Sequence, residues 1–258
     1  MFDRSAKRIQ IKTPEQVQKM RAAGLVVAGA LAAMRAAVAP GVTTRDLDAL
    51  ASEHIAAAGA LPSFLGYHGF PATICASVND QIVHGFPSDV PLGAGDVVSL
   101  DCGAILDGWH GDAAITVTVG EITPTLAELL RVTEESMWRG IAAARAGARL
   151  SDIGHAIESY VRSQGRYGLV EEYGGHGIGT EMHQDPHVLN HGKPGRGPVL
   201  RAGMALAIEP MVTLGRPRTR VLDDEWTVVT ADGSRAAHYE HSIAITPDGP
   251  LVLTAPPS

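Results

Sequence analysis

Two β-patterned stretches, Asp96 to Leu106 and Trp109 to Val119, flank the dipeptide Asp107-Gly108. Asp-Gly between such runs is a strong local signal for a two-residue hairpin, because a type I′ turn needs positive φ at both central positions. That turn sets Leu106 opposite Trp109 and, counting back, Gly103 opposite Asp112. Asp101 stands two residues from Gly103 and therefore on the same face, so Asp101 and Asp112 become diagonal neighbours. Two carboxylates placed this way beside Val97-Val98-Ser99-Leu100 are costly unless a cation compensates them. A turn one residue longer would put them on opposite faces and leave two exposed strand acids. The register thus decides between a metal site and an ordinary surface.

The rest of the pattern is α+β. Thr13, Pro14 and Gln16 form a capping box that opens a helix, and Pro40-Gly41 ends it. Its apolar stretch, Ala22 to Met34, follows Lys19 and Arg21 and precedes Ala37-Val38-Ala39, so it imitates a secretory leader. Glu15 in the basic region, Arg35 before the supposed site and Pro40 after it argue against that reading, and a bilayer span needs ~20 apolar residues. The expected compartment is the cytoplasm, without membrane attachment. Thr44 to Ala58 reads as a second helix stopped by Gly59. Ile74 to Val78 and Gln81 to His84 read as short strands around Asn79-Asp80. Thr125 to Ala146 and Ser151 to Gln164 return to helical spacing, with Thr125 and Ser151 as N-caps. Gly174 to Gly179 reads as a Gly-rich loop. Met204 to Val212, Glu225 to Thr230 and Arg235 to Thr246 read as strands, the last two joined across Asp232-Gly233. No low-complexity linker divides the chain. Residues 1–258 are therefore expected to form a single domain, with a short extension at 1–12 and a frayed tail at 255–258.

A faint duplication runs through this pattern. Gly66-Tyr67-His68-Gly69-Phe70 is similar to Gly174-Gly175-His176-Gly177-Ile178. Leu92-Gly93-Ala94-Gly95, with Asp101 six residues on, is similar to Leu200-Arg201-Ala202-Gly203, with Glu209 six residues on; both matches share an offset of 108 residues. Two matches at one offset point to a pseudo-symmetric fold of two similar halves, with Asp101 and Glu209 at equivalent points.

Composition narrows the function. The net charge of −7 argues against a nucleic-acid backbone as partner, since that binding runs on clustered Lys and Arg. Two cysteines, Cys75 and Cys102, form no disulfide framework and no zinc knuckle. Eleven histidines is a high count, and His176, His183, His187 and His191 crowd one stretch. Glu209 ends the apolar run Ala205-Leu206-Ala207-Ile208, Glu240 leads into Ile243-Ala244-Ile245, and His176 sits between glycines. Four carboxylates and one imidazole make an oxygen-rich set. It suits a pair of divalent ions such as Mn, Fe(II), Co or Zn better than a closed structural zinc site, the layout of metal-assisted hydrolysis.

Asp101, Asp112, His176, Glu209 and Glu240, in that order, resemble the ligand set of the pita-bread metallopeptidases. Gly66 to Pro71, Val78-Asn79-Asp80 with His84-Gly85 following, Gly175 to Gly179 and Ile208-Glu209-Pro210-Met211 narrow the resemblance to the bacterial type I methionine aminopeptidases, over about Ile9 to Leu253. The resemblance implies an antiparallel sheet covered by helices, in two similar halves around a central dimetal site. It implies that Asp101 chelates one ion, Asp112 and Glu240 bridge both, and His176 and Glu209 hold the second. Glu209 would also handle the proton of the attacking water, a hydroxide bridging the ions. His84 and His183 would contact the scissile amide and its tetrahedral intermediate. Tyr67, Phe70, Cys75, Met182 and Trp226, with Phe64 beside them, would line a methionine pocket. Phe64, Phe70 and Met182 stand where the bacterial pattern more often has Cys, Tyr and Phe, and all three remain apolar. His187, His191, His54, His110, His155, His238 and His241 match no role.

The implied reaction is removal of the initiator Met from nascent polypeptides with a small second residue, by a monomer, close to the ribosome surface. A chain starting just before the first family helix is expected to lack the Cys/His-rich extension of eukaryotic relatives and the extra domain of Xaa-Pro peptidases. The competing readings are an Xaa-Pro aminopeptidase or prolidase-like enzyme and a non-catalytic pita-bread binding module.

Overall fold

The computed structural model describes residues 9–255, so residues 1–8 of the expected extension and 256–258 of the expected tail lie outside the described residues. Among the described residues there are four α-helices: α1 (Pro14–Ala37), α2 (Thr44–Ala57), α3 (Pro124–Ala143) and α4 (Leu150–Gln164). The first half contributes strands β1 (Leu61–Pro62), β2 (Ile74–Val78), β3 (Gln81–Val83), β4 (Val97–Leu106) and β5 (Trp109–Thr118). The second contributes β6 (Gly168–Leu169), β7 (Gly175–Gly177), β8 (Gln184–Val188), β9 (Ala205–Ile208), β10 (Met211–Thr213), β11 (Thr219–Val221), β12 (Val228–Thr230), β13 (Ala236–His238), β14 (Glu240–Thr246) and β15 (Gly249–Val252). A nine-stranded antiparallel sheet runs β1-β4-β5-β14-β9-β7-β8, with β2 beside β4 and β15 beside β14. Two three-stranded sheets, β13-β10-β6 and β11-β12-β3, complete the fold.

The leader-like stretch is a core helix. Thr13 Oγ1 accepts from the Gln16 N–H and Gln16 Oε1 accepts from the Thr13 N–H, the expected capping box. Met20, Ala23, Val27, Ala30 and Met34 are fully buried. Helix and hairpin meet backbone to backbone, since a Cβ at Gly111 would come within 2.6 Å of the Gly24 nitrogen. Lys12, inside the expected extension, is buried, and its N–H donates to the Gly203 carbonyl.

The duplication in the Leu92 and Leu200 segments is carried by matching hydrogen bonds. Gly41 N–H donates to Leu92 O and Leu92 N–H to Val42 O; Gly147 N–H donates to Leu200 O and Leu200 N–H to Ala148 O. The N-cap residues of α2 and α4, Thr43 and Arg149, bridge to Pro91 and Val199. The cores follow the same division, one under α1 and α2 and one under α3 and α4. The other sequence match is coincidental. Tyr67–Gly69 is a single 3₁₀ turn, whereas Gly175–Gly177 is strand β7. The true counterpart of β7, which pairs with β9, is β2, which pairs with β4.

Four other expectations shift. Helix α3 starts at Pro124 with Thr123 as its cap, because proline's fixed φ suits the first helical position. Helix α4 starts before Ser151, and Asp152 accepts from the Arg149 N–H there. Strands β12 and β13 do not pair across Asp232-Gly233 but join different sheets. The Asp232 carboxylate instead accepts from the N–H groups of Arg216 and Ser234, which tie the turn to a neighbouring loop. The Gly-rich loop around His176 is a strand whose glycines admit neighbouring backbones, for a Cβ at Gly175 would meet the Ala207 carbonyl.

Candidate metal centre

The hairpin has the two-residue turn, with φ of 50° at Asp107 and 77° at Gly108. Gly103 pairs with Asp112, and Asp101 with Ala114. On the far side of β5, Ala114 also pairs with Glu240, so the two acids flank one central residue. Glu209 follows Ile208, whose partner on β14 is His241, which sets Glu209 level with Glu240. His176 reaches in from β7; its Nε2 lies 3.7 Å from Asp112 Oδ2 and 3.5 Å from Glu209 Oε1. All five expected ligands converge.

Among the described residues no Lys or Arg pairs with these acids. Burial, with the neighbouring carboxylates adding to it, pushes Asp101, Glu209 and Glu240 well above the ordinary range. Burial likewise raises Asp112 to about 7 and lowers His176 to about 4, which keeps its ring neutral as a ligand must be. Asp101 Oδ1, Asp112 Oδ1 and Glu240 Oε1 are buried without a hydrogen-bond partner. Ligand atoms of Asp112, His176 and Glu240 lie within 4.8 Å of one another, as do those of Glu209, His238 and Glu240. Orphaned acceptors around a space of that size fit divalent ions, as buried charge needs.

Beside the acids lies a cavity of about 160 Å³. Its apolar end is made by Phe64, Tyr67, Phe70, Cys75, Met182 and Trp226. The Phe70 ring meets Trp226 edge-on at 5.2 Å and Phe86 at 5.3 Å; Phe86 was not anticipated. His84 and His183 line the same cavity as the acids. Burial and neighbouring imidazoles lower them to about 4 and about 3, so both are neutral. Tyr67 Oη and His183 Nδ1 are hydrogen-bonded at 2.7 Å. A groove lined by Glu172, Tyr173 and His187 opens beyond His176 and His183. His187 lies on strand β8, at the groove.

The unexpected member is His238, which sequence reading left without a role. It is buried, and its Nε2 lies 3.7 Å from Glu209 Oε2. Its spacing of two from Glu240 carried no usable signal, because Tyr239 separates strand β13 from β14 and the two residues belong to different sheets.

The profile of metallopeptidase family M24 matches residues 18–247. The chain belongs to metallopeptidase family M24. Within it, the chain is 58% identical over 245 residues to "Methionine aminopeptidase 1" of Mycobacterium tuberculosis, covering 93% of this chain and 92% of that protein. The solved methionine aminopeptidase of Thermotoga maritima superposes with a TM-score of 0.95 at 45% identity, covering 96% of this chain and all of that one. That of Rickettsia prowazekii superposes with a TM-score of 0.94 at 42% identity and the same coverage. The fold is therefore the pita-bread fold of M24. M24 methionine aminopeptidases use a dimetal site, and the acids and imidazole assembled here suit one.

Proposed function

We propose that this M24 protein is a methionine aminopeptidase, hydrolysing the peptide bond after an N-terminal Met when the second residue is small. The observation that carries this is five buried donors converging beside an apolar slot in one chain. Asp101, Asp112, His176, Glu209 and Glu240 would hold two divalent ions. When bound, the ions lower the pKa of water to produce a nucleophile near neutrality and polarise the scissile carbonyl. The side chain of Met enters the slot, where its thioether meets the rings of Phe70, Tyr67 and Trp226. Neutral His84 and His183 hydrogen-bond the scissile amide, and Tyr67 Oη fixes the His183 ring for that task. Glu209, 3.5 Å from the His176 ring, takes the proton of the attacking water and passes it to the leaving amine. The remainder of the peptide follows the groove past His187.

All donors come from one chain, which supports a monomeric working unit and residues 1–258 acting as one catalytic domain. The substrates are nascent chains in the cytoplasm, met close to the ribosome. The test is a panel of Met-Ala-Ser, Met-Lys-Ser, Leu-Ala-Ser and Ala-Pro-Ser with and without added metal. Metal-dependent release of Met from the first alone is expected. Cleavage of Ala-Pro-Ser alone would indicate an Xaa-Pro peptidase, and no cleavage under any metal a binding module.

A further inference from the structure

His238 is buried at the metal centre, and the steps above give it no task. Main-chain bonds fix where it sits. Its N–H donates to Thr116 Oγ1 at 2.9 Å, Thr116 Oγ1 donates to its carbonyl at 2.8 Å, and it pairs with Met211 on β10. Its ring Nε2 is buried with no hydrogen-bond partner. The nearest acidic oxygen is Oε2 of Glu209, at 3.7 Å, while Oε1 of the same carboxylate lies 3.5 Å from His176 Nε2. Two imidazoles therefore bracket Glu209, one on each oxygen.

That asymmetry matters for a carboxylate with two tasks. The oxygen beside His176 can share the ion that His176 holds, and the other is left to carry a proton. A carboxylate without support can rotate and exchange its oxygens; a directional N–H on one of them prevents this. We propose that His238 is a positioning residue: its Nε2–H donates to Oε2 of Glu209, fixing which oxygen faces the ion and which handles the proton. This rests on the aminopeptidase reading.

His238→Gln keeps an N–H donor in a side chain of similar reach, and His238→Met removes it at similar volume. Each is assayed for kcat and KM on Met-Ala-Ser, and its metal binding is titrated calorimetrically. His238→Met should lower kcat ~10–100-fold with KM nearly unchanged, as loss of an outer partner to a metal ligand does. His238→Gln should recover most of that loss, and both variants should still bind two ions with near-parental affinity. Should His238→Met not fold, His238→Ala replaces it as the donor-free variant. An equal loss of kcat in the donor-keeping and donor-free variants would overturn the proposal, as would no loss in either. A large drop in affinity for one ion in both variants would also overturn it and make His238 a ligand. If the parent releases no Met, the aminopeptidase reading fails by itself; the calorimetric comparison reports on His238 separately.

Discussion

At the scale of single residues, the proposed function separates side chains that would hold ions from side chains that would hold substrate, and the two classes should fail differently. Asp112 sits between Asp101 and Glu240 and within 3.7 Å of His176. If Asp112 bridges as proposed, removing its charge takes a donor from both ions. Asp112→Asn should weaken metal binding and turnover by more than ~100-fold, beyond the range for an outer-shell partner; metal content after dialysis, measured beside kcat, checks it, and near-normal turnover would remove Asp112 from the centre. His84 is no ligand. His84→Ala should keep both ions and the parental melting temperature yet lose ~10²–10³ in kcat, the scale for one donor to a developing oxyanion. Loss of metal in that variant would reassign it. These roles were partly legible in the chain. Asp101 and Asp112 could be paired because Asp107-Gly108 fixes a register, and a register fixes faces. His238 was not, because Tyr239 separates it from Glu240 at a break between β13 and β14, where alternation cannot be counted on.

Elements place these residues through close backbone approach. Gly111 on β5, next to Asp112, lets α1 lie directly on the hairpin, and its absent Cβ would come within 2.7 Å of the Gly24 Cα. The atoms in the way are backbone, so they cannot rotate aside. Gly111→Ala should cost ~1–3 kcal/mol, the usual range for overpacking, read as a lower denaturation midpoint with unchanged slope. An unaltered midpoint would mean that α1 has freedom to shift. At this scale the sequence was legible where a local chemical rule sets the structure: the Thr13 capping box, the Asp107-Gly108 turn, the stops at Gly59 and Pro40. It misled where a distant partner decides. Asp232-Gly233 carries the same dipeptide as the true hairpin, but β12 is taken up by β11 and β3 and β13 by β10, so the turn joins two sheets. The glycines around His176 suggested a loop, yet they are required because β8 and β9 press on β7 from both sides.

On the scale of the whole molecule, the metal centre is where the halves meet: Asp101 and Asp112 come from the first, His176, Glu209 and Glu240 from the second. Ion binding should therefore stabilise the complete fold, and its pH dependence has a definite sign. In the metal-free protein burial raises the folded pKa values of all four acids, Asp112 to about 7 and the others well above the ordinary range. Their unfolded values lie near ~4. Between those limits the folded state binds more protons than the unfolded one, so stability present below ~4 is lost as pH rises through the folded values. The buried histidines have lowered pKa values, about 4 for His84 and His176 and about 3 for His183. They cost stability only below an unfolded pKa of ~6.5 and are silent above it. Over pH 6.5 to 8.5 the acids thus dominate, and the melting temperature of chelator-treated protein should fall. Bound ions hold the same carboxylates ionised, and competition from protons fades as pH rises. The gap in melting temperature between loaded and stripped protein should therefore widen from pH 6.5 to 8.5. Ions at a hundredfold excess over their dissociation constant contribute ~2.7 kcal/mol, roughly 5–10 °C for a chain of this size. Paired thermal scans at the two pH values measure it, and a gap that stays constant or narrows would mean that the buried acids are not what the ions compensate.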